Sequence, residues 1–332
     1  MRRPIVCVLS EVPKLTEELK RRCAHNCDKI VSISPKDVQQ EDRLLLKEAD
    51  IIVSDPNFAH LWLNGLHNLK FVHGTWAGAD RLMRLVQEQN VTPQFPYCRF
   101  AGRFGQAISE YVISYIVAQE RNFRKVYEAE AECKWSQEIR EHIVQKTRNL
   151  DKLSIGILGV GDIGKCVAKM CKTFGMTVWG MVTSLPEENA CQYVDEYRTG
   201  SDIDSILSNC DYLCSILPST PKTRGLFDGD RFKACSSKQP VFMNVGRGDI
   251  CSEQSILNAL QQGWIRAAIL DVLPEEPLPS SSLLWKHPNV TITPHCSALS
   301  LPDEVASLIS ENIENYMLDR PLKYVIDWSK GY

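Results

Sequence analysis

Arg247, Glu276 and His295 are the side chains of this chain whose types fit one reaction. They stand in three short stretches, Asn244-Val245-Gly246-Arg247-Gly248, Glu276-Pro277-Leu278-Pro279 and Thr293-Pro294-His295. A guanidinium holds a carboxylate through two parallel hydrogen bonds. An imidazole gives or takes a proton near neutral pH, and a carboxylate beside it orients the ring and favours its charged form. A cation, an acid and its partner are what hydride transfer to a 2-oxo acid requires. Taken singly, each has a bland reading: Arg247 as a surface charge, Glu276 as a loop acid, His295 as a packed core histidine.

The elements that could bring them together begin at Gly159-Val160-Gly161-Asp162-Ile163-Gly164. This run follows the apolar Ser154–Leu158 and opens the helical pattern Ile163–Thr173, the context in which G-x-G-x-x-G reads as a dinucleotide site. Gly159 suits the tight turn, Gly161 close approach of a pyrophosphate, and Gly164 close helix–strand packing. The helix start adds free N–H groups for phosphate, so Asp162 and Ile163 count among the candidate contacts. The next strand, Thr177–Met181, runs to Val182, Thr183 and Ser184, with no acid at its tip to bind a ribose diol. Thr183 and Ser184 could donate to a 2′-phosphate. No Arg or Lys stands there, and Glu187 and Glu188 follow closely, so the cofactor is NADP(H) or NAD(H) with a mild tilt to NADP(H).

Short apolar runs alternate with helical patterns in two series. The first holds Ile5–Leu9, Leu15–Cys23, Ala49–Ser54 and Leu69–His73. The second starts at Leu153 and continues through Tyr212–Leu217, Val241–Val245, Ala267–Leu270 and Val290–Thr293, with a helix at Glu253–Gln262. A long helical period covers Ala107–Arg124, and an amphipathic one covers Asp303–Leu318. The chain of 332 residues suggests about two α/β domains. Its net charge of −3 gives no hint of nucleic acid or an anionic membrane as partner. No apolar run approaches a membrane span, and Met1-Arg2-Arg3-Pro4 leads into a strand. Thirteen scattered cysteines without a C-x-x-C pair point to free thiols, a reducing, cytoplasmic setting and no metal site. Cys23/Cys27 and Cys210/Cys214, at helical spacing, read as small apolar residues, and Cys296 reads as a packed one.

The ordered motifs resemble the D-isomer-specific 2-hydroxyacid dehydrogenase family, in its glyoxylate/hydroxypyruvate reductase branch. The likeness begins at Phe71-Val72-His73-Gly74-Thr75-Trp76-Ala77-Gly78-Ala79-Asp80 and passes through Glu110-Tyr111-Val112, the glycine-rich turn and Leu217-Pro218-Ser219-Thr220-Pro221. It continues through the Arg247 stretch, Leu270-Asp271-Val272, the Glu276 and His295 stretches, and Ile326–Tyr332.

This resemblance implies two Rossmann-like domains, each a doubly wound parallel sheet. A nucleotide-binding domain, 103–296, would be inserted in a flavodoxin-like substrate domain, 1–102 plus 297–332. The domain-crossing helices would lie near Gln106–Arg124 and Pro302–Leu318. It implies that Arg247 grips the carboxylate and carbonyl oxygen of a small 2-oxo acid, that His295 protonates that oxygen, and that Glu276 holds His295. Thr75, Trp76, Ala77 and Gly78 would contact substrate, the last three through backbone N–H groups. Asp271 would anchor the nicotinamide amide. Leu217, Pro218 and Thr223, with Val245 and Gly246, would line the nicotinamide side. His73 would either touch substrate or pack; Asp80 and Glu110 would brace the site; His287 would be a loop residue. A homodimer through the nucleotide domain is implied. Cys296-Ser297-Ala298 departs from the family pattern of an apolar residue and alanine after the histidine. Two rival readings are a nucleotide-sensing corepressor-like binding protein of this fold and a dehydrogenase for a larger or phosphorylated 2-hydroxy acid.

Overall fold

The computed structural model describes residues 2–66, 68–186 and 191–328, side chains of 142–144 and 146 excepted. Glu187, Glu188 and the segment Ser329–Tyr332 lie outside the described residues. The chain divides into two compact units, Met1–Arg103 with Leu299–Tyr332, and Phe104–Ala298.

In the first unit the runs Ile5–Leu9 (β1), Lys29–Ser32 (β2), Ile51–Ser54 (β3), Phe71–Gly74 (β4) and Tyr97–Cys98 (β5) form a sheet in the order β2-β1-β3-β4-β5. Every pairing is parallel. That is the flavodoxin-like 2-1-3-4-5 order, and it brings the chain out at the carboxyl ends of the central strands, where ligands of such sheets bind. β3 and β4 are buried at every position, as a sheet covered on both faces requires. Leu15, Leu19 and Cys23 form the buried face of the helix Leu15–Cys23, which packs against the helix Pro302–Met317. On the other side, Trp62 stacks on Tyr97 at 6.2 Å between centroids within a core that includes Val72, Leu82 and Ile326.

His73, on β4, is fully buried, and its Nδ1 lies 2.8 Å from the Gly74 carbonyl oxygen. Burial holds its pKa down at about 4, against 6.5 for the free side chain. The unfolded chain therefore binds a proton on this residue that the folded chain refuses. His73 thus contributes a loss of stability that begins as pH falls below 6.5 and is complete near 4, worth roughly 3 kcal/mol. A His73→Phe variant is expected to flatten the pH dependence of the thermal midpoint across that window. Melting curves from pH 7 to 4 on both proteins check this.

The second unit holds Ser154–Leu158 (β6), Thr177–Val182 (β7), Glu196–Thr199 (β8), Tyr212–Ser215 (β9), Val241–Asn244 (β10), Ala267–Leu270 (β11) and Val290–Ile292 (β12). Their order is β12-β11-β10-β9-β6-β7-β8, all parallel. Counted from β6 this is the 3-2-1-4-5-6 Rossmann order with one strand added beyond β11. The helix Asp162–Thr173 buries Gly164, Val167, Ala168 and Cys171. Phe227, Phe232 and Phe242 centre the core on one face, with ring centroids 4.9–5.4 Å apart.

The helical expectation for Ala107–Arg124 fails at its end. The helix from Phe104 stops at Glu120 instead of running to Arg124, because Asn122 takes φ 53° and a second helix, Phe123–Ala131, starts on a new course. Asn tolerates the left-handed region better than most residues. Glu120 is also held in place, accepting hydrogen bonds from Arg148, Tyr212 and Arg266. The Cys210/Cys214 spacing is not helical either: Cys210 caps the helix Ile203–Asn209 and Cys214 lies in β9, although both are buried.

Candidate active site

The second unit places its candidate residues on the loops that leave the carboxyl ends of β6, β7, β9, β10, β11 and β12. Gly159 follows β6 with φ 105°, a conformation that any L side chain resists. Its N–H and that of Val160 both donate to Met181 O, tying the turn to β7. A Cβ on Gly164 would lie 2.2 Å from the Gly159 carbonyl oxygen, whereas one on Gly161 would meet nothing within 4 Å. Helix and turn are thus pressed together at Gly164, and open space remains over Gly161, where Asp162 and Ile163 begin the helix. This shape fits a dinucleotide pyrophosphate laid on the helix start. Thr183 and Ser184 are exposed at the end of β7. A Gly164→Ala variant is expected to lose at least tenfold in dinucleotide affinity while keeping its circular-dichroism spectrum, because the clash is with backbone. Titration of NADPH fluorescence checks this.

Arg247 follows β10. Its flanking glycines do not serve a left-handed turn, since neither has positive φ. They permit close approach instead. A Cβ on Gly246 would lie 2.7 Å from Leu217 O, and one on Gly248 would lie 2.0 Å from the Leu273 carbonyl. The strand-end segments at Leu217 and Leu273 therefore close on Arg247 from either side. Asn244 shapes the turn: its Nδ2 donates to Arg247 O, and its Oδ1 accepts from Gly246 N–H. Val245 is buried, its N–H donating to Ser215 O. Leu217 is buried, and Thr223 folds its own loop by donating to Pro218 O and accepting from Thr220 N–H.

Glu276 and His295 meet. His295 Nδ1 lies 2.8 Å from Glu276 Oε2, and Glu276 Oε1 accepts the Leu273 N–H at 2.9 Å. Burial raises the Glu276 carboxyl, but the His295 and Leu273 hydrogen bonds, with the charges of His295 and Arg247, outweigh it and leave it below its ordinary value. Glu276 thus stays ionised at neutral pH and holds one ring nitrogen of His295. His295 adopts φ 50°, an uncommon conformation for a residue with a side chain. Its ring is half exposed, as a group that meets a substrate must be.

Asp271 is 1% exposed, and its carboxylate accepts from Thr293 Oγ1, Cys296 N–H and Ser297 N–H. It braces the His295 turn, a role that its expected place at the nicotinamide did not suggest. Cys296 is exposed, against the packed reading, because that turn directs it outward. Glu110 is exposed too and accepts from Gln106 one turn back. His287 accepts the Asn289 N–H in its loop.

In the first unit the loop after β4 carries Thr75, Trp76, Ala77 and Gly78. Thr75 is fully buried and its hydroxyl donates to Asp55, so it shapes the loop from beneath. The N–H groups of Trp76, Ala77 and Gly78 have no protein acceptor among the described residues, and Trp76 O accepts from Phe100 N–H. His73 is enclosed by the core. Asp80 opens the helix Asp80–Glu88.

The family model described as the D-isomer specific 2-hydroxyacid dehydrogenase NAD binding domain matches residues 113–297. Glyoxylate/hydroxypyruvate reductase A of Escherichia fergusonii is 29% identical over 269 residues, covering 80% of this chain and 82% of that protein. A D-isomer specific 2-hydroxyacid dehydrogenase family protein from Aeromonas salmonicida superposes with a TM-score of 0.85 at 30% identity, covering 98% of this chain and 99% of its own. The NADPH-dependent glyoxylate/hydroxypyruvate reductase of Sinorhizobium meliloti, solved with NADP and sulfate, has a TM-score of 0.81 at 28% identity, covering 98% and 99%.

Proposed function

Because this chain belongs to the D-isomer specific 2-hydroxyacid dehydrogenase family, we propose that it reduces a short 2-oxo acid, glyoxylate or hydroxypyruvate, with NADPH as the preferred donor. The observation that carries this reading is the 2.8 Å pairing of His295 Nδ1 with Glu276, on loops that share a unit with the glycine-rich turn and Arg247. When bound, the dihydronicotinamide supplies the hydride. The turn Gly159–Gly164 would hold its pyrophosphate, and Thr183 and Ser184 the adenosine ribose or its 2′-phosphate. Leu217, Pro218, Thr223, Val245 and Gly246 would line the nicotinamide, with Asp271 beneath it.

Arg247 takes the substrate carboxylate and carbonyl oxygen in its two-pronged donor geometry and steadies the negative charge that grows on that oxygen. His295 passes its Nε2 proton to the oxygen as the carbon is reduced. Glu276 keeps Nδ1–H engaged, which fixes the orientation of the ring for transfer. Trp76, Ala77 and Gly78 are proposed to donate backbone N–H groups to the carboxylate. NADPH preference is supported by the absence of an acid at the end of β7 and by the NADP bound to the Sinorhizobium meliloti relative. No group of His, Cys, Asp and Glu among the described residues could hold a metal.

A homodimer through the second unit is supported by the helix Phe123–Ala131, which buries none of its residues and carries the half-bare Phe123 and Tyr127, and by Trp135 at 95% exposure. Among the described residues no helix is long and apolar enough to cross a membrane, and thirteen free thiols support a cytoplasmic setting.

Steady-state rates of NADPH and NADH oxidation with 2-oxo acids of increasing side-chain size test the proposal. The expected result is the highest kcat/KM for glyoxylate or hydroxypyruvate with NADPH. Absence of turnover with either cofactor across the panel overturns it.

A further inference from the structure

We propose that Tyr111 and Thr293 are positioning residues for the proton donor, clamping through Asp271 the turn that carries His295. This rests on the reading of His295 as the acid. Asp271 stands at the end of β11 and meets the turn at several points. Its carbonyl oxygen accepts the His295 N–H at 3.0 Å, its Oδ1 accepts the Cys296 N–H at 2.8 Å, and its Oδ2 accepts the Ser297 N–H at 2.9 Å. Thr293 Oγ1 donates to the same Oδ1 at 2.5 Å. Bonds from His295 itself and from residues on both sides of it, the Thr293 hydroxyl before and two main-chain N–H groups after, thus end on one residue and hold the left-handed backbone at φ 50°.

The chain of hydrogen bonds continues outward. Tyr111 Oη lies 2.8 Å from Thr293 Oγ1. Thr293 has one hydroxyl proton and gives it to Asp271, so the Tyr111 hydroxyl must be the donor in this pair. The direction Tyr111→Thr293→Asp271 is therefore fixed. A chain of this polarity strengthens each bond in it and favours a single arrangement of the groups it joins. Tyr111 comes from the helix Phe104–Glu120, 182 residues before Thr293 in sequence, and its ring packs on Tyr115 at 4.6 Å between centroids. Burial pushes its phenol above the ordinary range, so it remains a hydroxyl donor throughout the working pH. The helix that anchors the unit thereby restrains the catalytic turn from behind, while Glu276 restrains the ring from the front.

Orientation of the acid is worth much of its catalytic effect. Loss of the clamp acts on turnover and on the protonation of His295 rather than on cofactor binding. Thr293→Val removes the hydroxyl with little change of shape, Thr293→Ser keeps it, and Tyr111→Phe removes only the outer donor. The expected result is a kcat lowered about tenfold by Thr293→Val and about threefold by Tyr111→Phe, with KM for NADPH within about twofold of the parent. The alkaline limb of the kcat–pH profile, where the proton donor is lost, moves in both variants, and Thr293→Ser restores kcat and profile.

Titration of the ring-labelled His295 resonance by NMR, assigned with His295→Gln, reads the same clamp without turnover. Its midpoint is expected to move in the Val and Phe variants and to return in the Ser variant. Parent-like kcat, pH profile and His295 titration in both the Val and Phe variants overturn the proposal, as does an equal loss in Thr293→Ser. If the parent itself turns over no 2-oxo acid, the proposed function fails, and the NMR titration still decides whether the clamp acts on His295.

Discussion

His295→Ala is expected to lower kcat by about a hundred- to ten-thousandfold, the range spanned by a positioned general acid. The imidazole is half exposed and touches the chain through Glu276, so its removal opens no core cavity and leaves the fold standing. The glycine-rich turn is untouched, and NADPH affinity should stay within about twofold of the parent. Arg247→Ala provides the contrast: it removes the proposed carboxylate grip and should raise KM for the 2-oxo acid as well as lower kcat. A stopped-flow or steady-state comparison of the two variants, with NADPH binding followed separately, separates the roles. If His295→Ala retains near-parent turnover, the proton comes from elsewhere and the assignment is wrong.

Glu120→Ala is expected to cost about 3–5 kcal/mol of stability in the second unit, the range for removing one member of a buried charge network. The Glu120 side chain is 1% exposed and accepts from Arg148, Arg266 and the Tyr212 hydroxyl. Arg148 also bonds Asp211, whose second oxygen accepts from Ser154. The network therefore ties the end of the helix Phe104–Glu120 to β6, β9 and the start of β11. Burial alone would raise the Glu120 carboxyl, but the hydrogen bonds from Arg148, Tyr212 and Arg266 bring it down to about 2. A carboxyl so depressed contributes stability that is present above its ordinary value of 4.5 and lost as pH falls toward 2. Removing it leaves Arg148 and Arg266 without their shared carboxylate, and Arg148 with Asp211 alone. Urea unfolding with hydrogen exchange read on β9 and β11 measures the loss. A change below about 1 kcal/mol means the network is solvated and adds little.

Most of the parallel sheet was legible along the chain because its central strands are buried on both faces. Such strands read as unbroken apolar runs, and Ile51–Ser54, Ser154–Leu158 and Ala267–Leu270 stood out accordingly. The strands that left no signal are at the sheet edges. Lys29–Ser32 and Glu196–Thr199 are partly solvated, and Tyr97–Cys98 is two residues long, so none offers an apolar run to read. The helix end at Glu120 was hidden for a different reason. The period of Ile108, Tyr111, Val112, Tyr115 and Ile116 gives no sign of a stop, which comes from the left-handed backbone at Asn122, beside a charge network whose members lie up to 146 residues away.

The chemistry was written in residue types: a guanidinium, a carboxylate, an imidazole and a glycine-rich turn between strand and helix. Those choices are local, and each suits its reaction wherever the fold puts it. The pairings were not local. That Glu276 holds Nδ1 of His295, that Gly246 and Gly248 serve close approach rather than turning, and that Asp271 clamps the His295 turn all depend on strand ends brought side by side. Parallel strands joined by helical crossovers collect their carboxyl-terminal loops along one edge, so residues far apart in the chain meet there. Spacing along a chain carries no record of which of these loops reach each other; that is decided by the register of the strands and the space left at their ends.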